Sequence, residues 1–144
     1  MIFCYARIST TAQTDDYSIE EQLRRTKAIA DLKGVSRLDI VTCVDKAVSG
    51  LIPLDERPAG KEMLEQARAG DIIVATKLDR LFRSARDALV MADLFKQRKI
   101  DLILIDLGVD PVTAGGTASL FFGILAMIAE FEREKRRRAT LDYD

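Results

Sequence analysis

Short apolar runs alternate along this chain with segments whose apolar residues recur at helical spacing, and that alternation leaves few folds open to it. Ile2 to Ile8, Ile40 to Val44, Asp71 to Thr76 and Ile100 to Ile105 read as strands. Between the first two, Ser18-Ile19-Glu20-Glu21 forms a capping-box pattern that opens a helix through Ile19, Leu23, Ile29 and Ala30, with Gly34 as its stop. Pro58 suits a first helical residue, Met63, Leu64 and Ala67 supply an apolar face, and Gly70 closes that segment. Arg86 to Lys99 carries Ala88, Leu89, Ala92 and Phe95 at helical spacing. Strand and helix in turn predict an α/β fold whose central, mostly parallel sheet is flanked by helices.

After a Gly/Thr-rich loop around Ala114 to Thr117, one long helix is expected from Ala118 to about Arg138, apolar in its first half and charged in its second. Leu120, Phe121, Ile124, Leu125 and Ile128 are too many for one face, so a second subunit is expected to cover them. This divides the chain into a core over residues 1–117 and a dimerisation helix over 118–144. With 144 residues, 48% hydrophobic and 31% charged, a single core is the default. The apolar stretch from Ala118 to Ala129 is too short to cross a bilayer and no charged leader precedes an apolar segment, so a cytoplasmic protein without membrane contact is expected. Cys4 and Cys43 lie in apolar strand-like runs without the paired spacing of a zinc or redox motif, and read as reduced core residues.

Composition narrows the chemistry. Lysine plus arginine number 22 against 23 acidic residues, so there is no global basic field and any anion site must be local. Histidine is absent, which removes the Ser/His/Asp triad, the histidine base and most catalytic zinc sites. No phosphate-binding Gly-x-x-x-x-Gly-Lys-Ser/Thr loop occurs, and no Gly-x-Gly-x-x-Gly follows a strand. Ligands of open α/β sheets gather beyond the carboxyl ends of the strands, where Arg7-Ile8-Ser9-Thr10 and Lys77-Leu78-Asp79-Arg80-Leu81-Phe82-Arg83 are expected to face one another. Arg80 and Arg83, three apart, would project from one face of a helix or tight turn and grip two oxygens of one phosphate. Arg57 and Lys77 would bring further positive charge. A serine ringed by arginines meets the demands of phosphoryl transfer, namely an in-line nucleophile and donors for the equatorial oxygens.

Tyr5-Ala6-Arg7-Ile8-Ser9-Thr10 resembles the nucleophile signature of serine site-specific recombinases of the resolvase/invertase type. Ser18-Ile19-Glu20-Glu21-Gln22, Asp45 to Gly50, Glu56-Arg57-Pro58, Lys77 to Arg83, and Ala129-Glu130-Phe131-Glu132-Arg133 follow in the order of that family. The resemblance covers essentially the whole chain. It implies a twisted sheet wrapped by helices and a long final helix that dimerises and then crosses DNA. It further implies that Ser9 attacks a scissile phosphate of double-stranded DNA, leaving a 5′ phosphoserine and a free 3′ hydroxyl, without metal or cofactor. Arg7, Arg80 and Arg83 would contact that phosphate and Arg57 would assist, with Asp79 and Gln22 organising the site. Lys77, Arg133, Lys135, Arg136, Arg137 and Arg138 would approach DNA, and Glu132 would join Leu120, Phe121, Ile124, Leu125 and Ile128 in the interfaces of a dimer that becomes a tetramer during strand exchange. Such recombinases carry a separate DNA-binding domain, commonly after the long helix, and none is recognisable here. The interval between Ser9 and Ser18 resembles large or transposon-borne members. Two other readings compete: a metal-dependent nuclease using Asp45, Asp71, Asp79 or Asp106, and a non-catalytic dimeric module for a phosphorylated ligand.

Overall fold

The computed structural model describes residues 1–9 and 17–142. Thr10 and residues 11–16, most of the interval between Ser9 and Ser18, lie outside the described residues. The elements are β1 (Ile2–Ile8), α1 (Ile19–Leu32), β2 (Ile40–Lys46), α2 (Pro58–Gln66), β3 (Ile72–Ala75), α3 (Leu78–Leu81), α4 (Ala85–Gln97), β4 (Asp101–Leu104) and α5 (Gly115–Asp142), with single 3-10 turns at Arg37–Asp39, Leu54–Glu56 and Ile105–Leu107. The strands form one four-stranded sheet in the order β2-β1-β3-β4. Every neighbouring pair is parallel, with Ile2 opposite both Ile40 and Ile72, and Ile72 opposite Asp101.

Residues buried on both faces of a sheet read as unbroken apolar runs, and β1, buried from Ile2 to Arg7, is the case in point. Alternate side chains separate two layers. Ile2, Val74 and Ile103 meet Ile29 and Ala30 of α1 on one face. Phe3, Tyr5, Ile73 and Leu102 meet Met63 of α2, Ala88, Ala92 and Phe95 of α4, and Phe121 and Leu125 of α5 on the other. The mostly parallel α/β sheet expected from the pattern is present.

Local signals set the helix ends. Ser18 Oγ accepts from Glu21 N at 3.1 Å, but the Glu21 carboxylate turns to Arg24 and Arg25 rather than completing a capping box. Those two guanidiniums hold its carboxyl down at about 2. Gly34, at φ +71°, follows α1 as expected. Val35 N donates to Ala30 O and Gly34 N to Asp31 O, the paired bonds of a Schellman ending. Boundaries shift elsewhere. β2 runs on to Lys46, β4 stops at Leu104 because a 3-10 turn begins at Ile105, α2 ends at Gln66 well before Gly70, and α5 starts at Gly115 rather than Ala118.

Candidate active site

In an open parallel sheet a crevice forms beyond the strand ends where successive connections leave in opposite directions. β2 lies on one side of β1 and β3 on the other, so the switch falls between the carboxyl ends of β1 and β3. β1 delivers Arg7 and then Ser9, which is half-buried just past the strand. β3 delivers Thr76 and Lys77, followed at once by α3 with Asp79 and Arg80. Phe3, Tyr5 and Arg7 share the face that carries α2 and α4, and Ser9 is the next position of that alternation.

Three guanidiniums are packed inward around this point. Arg7, buried, donates from Nε to Arg80 O at 3.3 Å, from Nη1 to Val48 O at 3.0 Å and from Nη2 to Asp79 O at 3.0 Å. It therefore ties β1 to the loop after β2 and to α3. Arg57, 0% exposed, donates to Ile52 O at 2.9 Å, to Tyr5 Oη at 3.1 Å, to Arg80 O at 2.6 Å and to Gly50 O at 3.4 Å. Arg80, also buried, returns a bond from Nη1 to Arg7 O at 3.1 Å, and its Nε lies 3.9 Å from the exposed Asp79 carboxylate. A Cβ on Gly50 would stand 3.1 Å from Arg7 Nη2, so glycine lets the loop backbone approach the guanidinium. Carbonyl dipoles aimed at the three cations stabilise charge that burial would otherwise disfavour.

Asp45 is the buried carboxylate among the described residues. It accepts from Tyr5 Oη at 2.7 Å, Ala59 N at 2.8 Å and Gly60 N at 3.0 Å. The last two are free amides of the α2 N-terminus, where a negative charge is favoured. Burial raises the Tyr5 phenol above its ordinary range, so it remains a neutral donor to Asp45 while accepting from Arg57. Gln22, 0% exposed, acts on the same strand end from the other face: Arg7 N donates to its Oε1 at 3.0 Å, and its Nε2 donates to Arg7 O and Tyr17 O, each at 3.0 Å. Gln22 thus holds the peptide from which the Arg7 side chain projects.

The structure separates other residues that the sequence grouped. Arg80 and Arg83 do not share a face. α3 ends at Leu81, and Phe82 is extended at φ −120° and ψ 150° with its ring buried, so the chain turns Arg83 outward. Arg83 lies 3.6 Å from Asp87, whose carboxylate also accepts from Arg83 N at 2.9 Å. Lys77 stands 5.5 Å from the Tyr17 ring centre, and Arg25 covers the same ring at 4.3 Å. Of the carboxylates considered for a metal, Asp45 is engaged by α2 and Asp71 pairs with the Met1 ammonium at 2.8 Å at the amino ends of the two central strands, the far end of the sheet from Ser9. Asp106 follows β4, where desolvation raises its carboxyl against the pull of Lys77. Among the described residues, no three metal-ligating side chains converge.

The residues expected at an interface also divide. Phe121 and Leu125 are buried in this chain's own core, 7% and 3% exposed, and Glu132 is half-buried. Leu120, Ile124 and Ile128 remain exposed together with Met127 and Phe131, which the sequence reading did not single out. Arg133 and Arg138 pair along α5 with Glu130 and Glu134, and the cluster Lys135 to Arg138 is exposed. Tyr5 was also missed as a site residue. Its signal was its place two residues before Arg7, on the same strand face.

The family model described as "Resolvase, N terminal domain" matches residues 2–143. The chain belongs to the resolvase family. It is 32% identical over 134 residues to the transposon Tn917 resolvase of Enterococcus faecalis, covering 93% of this chain and 64% of the relative. To the transposon Tn2501 resolvase of Escherichia coli it is 31% identical over 134 residues, covering 92% and 63%. The chain thus spans less than two thirds of these resolvases. Among solved structures, the N-terminal catalytic domain of TP901-1 integrase matches with a TM-score of 0.74 at 34% identity, over 94% of this chain and 98% of that one. A resolvase family site-specific recombinase from Streptococcus pneumoniae matches with a TM-score of 0.74 at 26% identity, over 98% and 93%. No helix among the described residues of this resolvase-family chain is long and apolar enough to cross a membrane.

Proposed function

We propose that this domain is the catalytic part of a serine recombinase that cuts and rejoins DNA in the cytoplasm through a covalent 5′-phosphoserine. The observation that carries the reading is the position of Ser9 at the switch point of the sheet, next to a buried group of Arg7, Arg57 and Arg80. Serine Oγ attacks the phosphorus, the bond from phosphorus to the 3′ oxygen breaks, and the 3′ oxygen leaves as a hydroxyl. The new phosphoserine ester retains the energy of the broken one, so attack by another 3′ hydroxyl reseals the strand without ATP. Guanidinium forks suit the pentacoordinate phosphate better than ammonium groups. Arg7, on β1, lies two residues before Ser9, and Arg80 is bonded to the Arg7 carbonyl at that strand end. Arg57 supports them from beneath, Gln22 holds the strand end, Asp79 lies beside Arg80, and Arg83 borders the site on its outer side.

The exposed stripe on α5 supports a homodimer as the working unit, and pairing of two dimers into a tetramer would supply the second duplex. The decisive experiment traps full-length protein on DNA carrying its recombination site and maps the linkage by mass spectrometry. Wild type is expected to carry a 5′ adduct on Ser9, formed in EDTA as well as in Mg²⁺. An adduct that persists in Ser9→Ala would sink the assignment, and cleavage that occurs only with Mg²⁺ would favour a metal-dependent nuclease.

A further inference from the structure

An ammonium on a flexible four-carbon stem meets a given phosphate often only if something holds it there, and what holds Lys77 comes from the other side of β1. β1 and β3 pair with Ile2 opposite Ile72 and Cys4 opposite Val74, and in that register Lys77 is level with Arg7, two residues before Ser9. Lys77 leaves β3 extended, at φ −144° and ψ 157°, as the residue before α3. Its Nζ stands 5.5 Å from the ring centre of Tyr17. Tyr17 belongs to the approach to α1, and its carbonyl accepts from Gln22 Nε2 at 3.0 Å while the same nitrogen donates to Arg7 O at 3.0 Å. Tyr17 is thereby tied to the end of β1, and the Lys77 side chain reaches toward that strand end from β3. The ring is fixed in turn. Arg25 covers it at 4.3 Å, and Arg25 Nε donates to Glu21 Oε1 at 3.0 Å. Asp106, whose backbone N donates to Thr76 O at 3.1 Å, attracts the Lys77 ammonium from the β4 side.

We propose that Tyr17 is a positioning residue for the reaction at Ser9, holding the Lys77 ammonium at the end of β1 for a non-bridging oxygen of the scissile phosphate. The proposal rests on the recombinase reading for the identity of that phosphate. A ring suits the task better than a carboxylate would. It attracts the cation through its face yet carries no charge of its own, so the full positive charge stays available to the phosphate. Charge gathers on the phosphate oxygens in the transition state, so an ammonium fixed beforehand is worth most at that step. Arg7 and Arg57, by contrast, spend donors on main-chain carbonyls. In this role Tyr17 acts on the phosphate only through Lys77.

The test is single-turnover formation of the Ser9 adduct by full-length protein on a duplex carrying its recombination site, with DNA affinity read separately by gel shift. Tyr17→Leu is expected to slow the adduct about five- to thirty-fold, the rate equivalent of one cation–π contact, with affinity and unfolding midpoint close to wild type. Tyr17→Phe keeps the ring and is expected to restore the rate. Lys77→Met should lose at least as much as Tyr17→Leu, and the double variant should be no slower than Lys77→Met alone. A wild-type rate in Tyr17→Leu overturns the proposal. So do losses that multiply in the double variant, which would make Tyr17 act apart from Lys77, and a Tyr17→Phe as slow as Tyr17→Leu, which would move the role to the hydroxyl. Affinity or stability lost in step with rate in Tyr17→Leu would also overturn it, since Tyr17 would then be a structural residue only. Wild-type protein that forms no Ser9 adduct would remove the recombinase reading itself, and this role with it.

Discussion

Asp45 shows how one residue can hold up a site it does not enter. Its carboxylate receives three donors within 3.0 Å, two from the amides of α2 and one from Tyr5. Tyr5 in turn receives Arg57, and Arg57 donates to the same Arg80 carbonyl that Arg7 does. In Asp45→Asn an NH2 group must face one of these donors, so a charge-assisted bond becomes an unsatisfied contact at constant size. A loss of about 2–3 kcal/mol in urea unfolding is expected. Tyr5→Phe should lose about 1–2 kcal/mol, and the two changes should be markedly non-additive because they share one bond. Full additivity would show that Tyr5 and Asp45 act independently. The sequence made Asp45 visible as an acid at a strand end, which fits a metal ligand equally well. Only parallel pairing of β1 with β2, which sets Tyr5 opposite Cys43 and Arg7 opposite Asp45, puts the carboxylate beside α2. The basic residues were legible as a group, whereas their directions were not. Arg57 points wholly inward, where Tyr5 Oη and the Ile52 and Arg80 carbonyls accept from it, and Arg83 points outward because Phe82 is extended.

Elements were most legible where an apolar period runs for three turns or more, as in α1 and α4. They were least so where a few residues carry a whole element. α3 spans only Leu78–Leu81, too short for a period to register, yet it supplies the Asp79 and Arg80 carbonyls that orient Arg7. The order β2-β1-β3-β4 likewise has no local signal, since it depends on which strands pair across the chain. A close contact at α2 gives a test at this scale. A Cβ on Gly60 would lie 2.3 Å from Leu54 O and 2.7 Å from Leu54 Cδ1, so α2 and the 3-10 turn at Leu54–Glu56 touch backbone to backbone. Gly60→Ala, although the better helix former, is expected to cost about 2–3 kcal/mol because a backbone oxygen cannot step aside. Chemical denaturation measures the loss. Unchanged or raised stability would mean that the turn can move without penalty.

The whole molecule carries an imbalance on α5. The helix spends one stripe, with Phe121 and Leu125 buried, on its own core, and leaves Leu120, Ile124, Met127, Ile128 and Phe131 outside at 66%, 47%, 74%, 43% and 70% exposure. These residues fall at steps of four, three, one and three, so they form a contiguous ridge on the side away from α4 rather than scattered apolar points. Ridges of this kind fit a second copy of themselves, since a two-fold axis sets the same patch on both partners and closes the assembly. Covering five large side chains at about 1.5–3 kcal/mol each would outweigh the cost of associating two chains, in part because the helix is already ordered by its contact with α4. Ile124→Asp with Phe131→Asp puts charge at two points of the ridge while leaving Phe121 and Leu125 in place. Sedimentation equilibrium is expected to show a dimer for the wild-type chain and a monomer for the double variant, with unchanged circular dichroism. A wild-type monomer at tens of micromolar would refute self-association through α5, and a dimer that survives both aspartates would move the interface to another face.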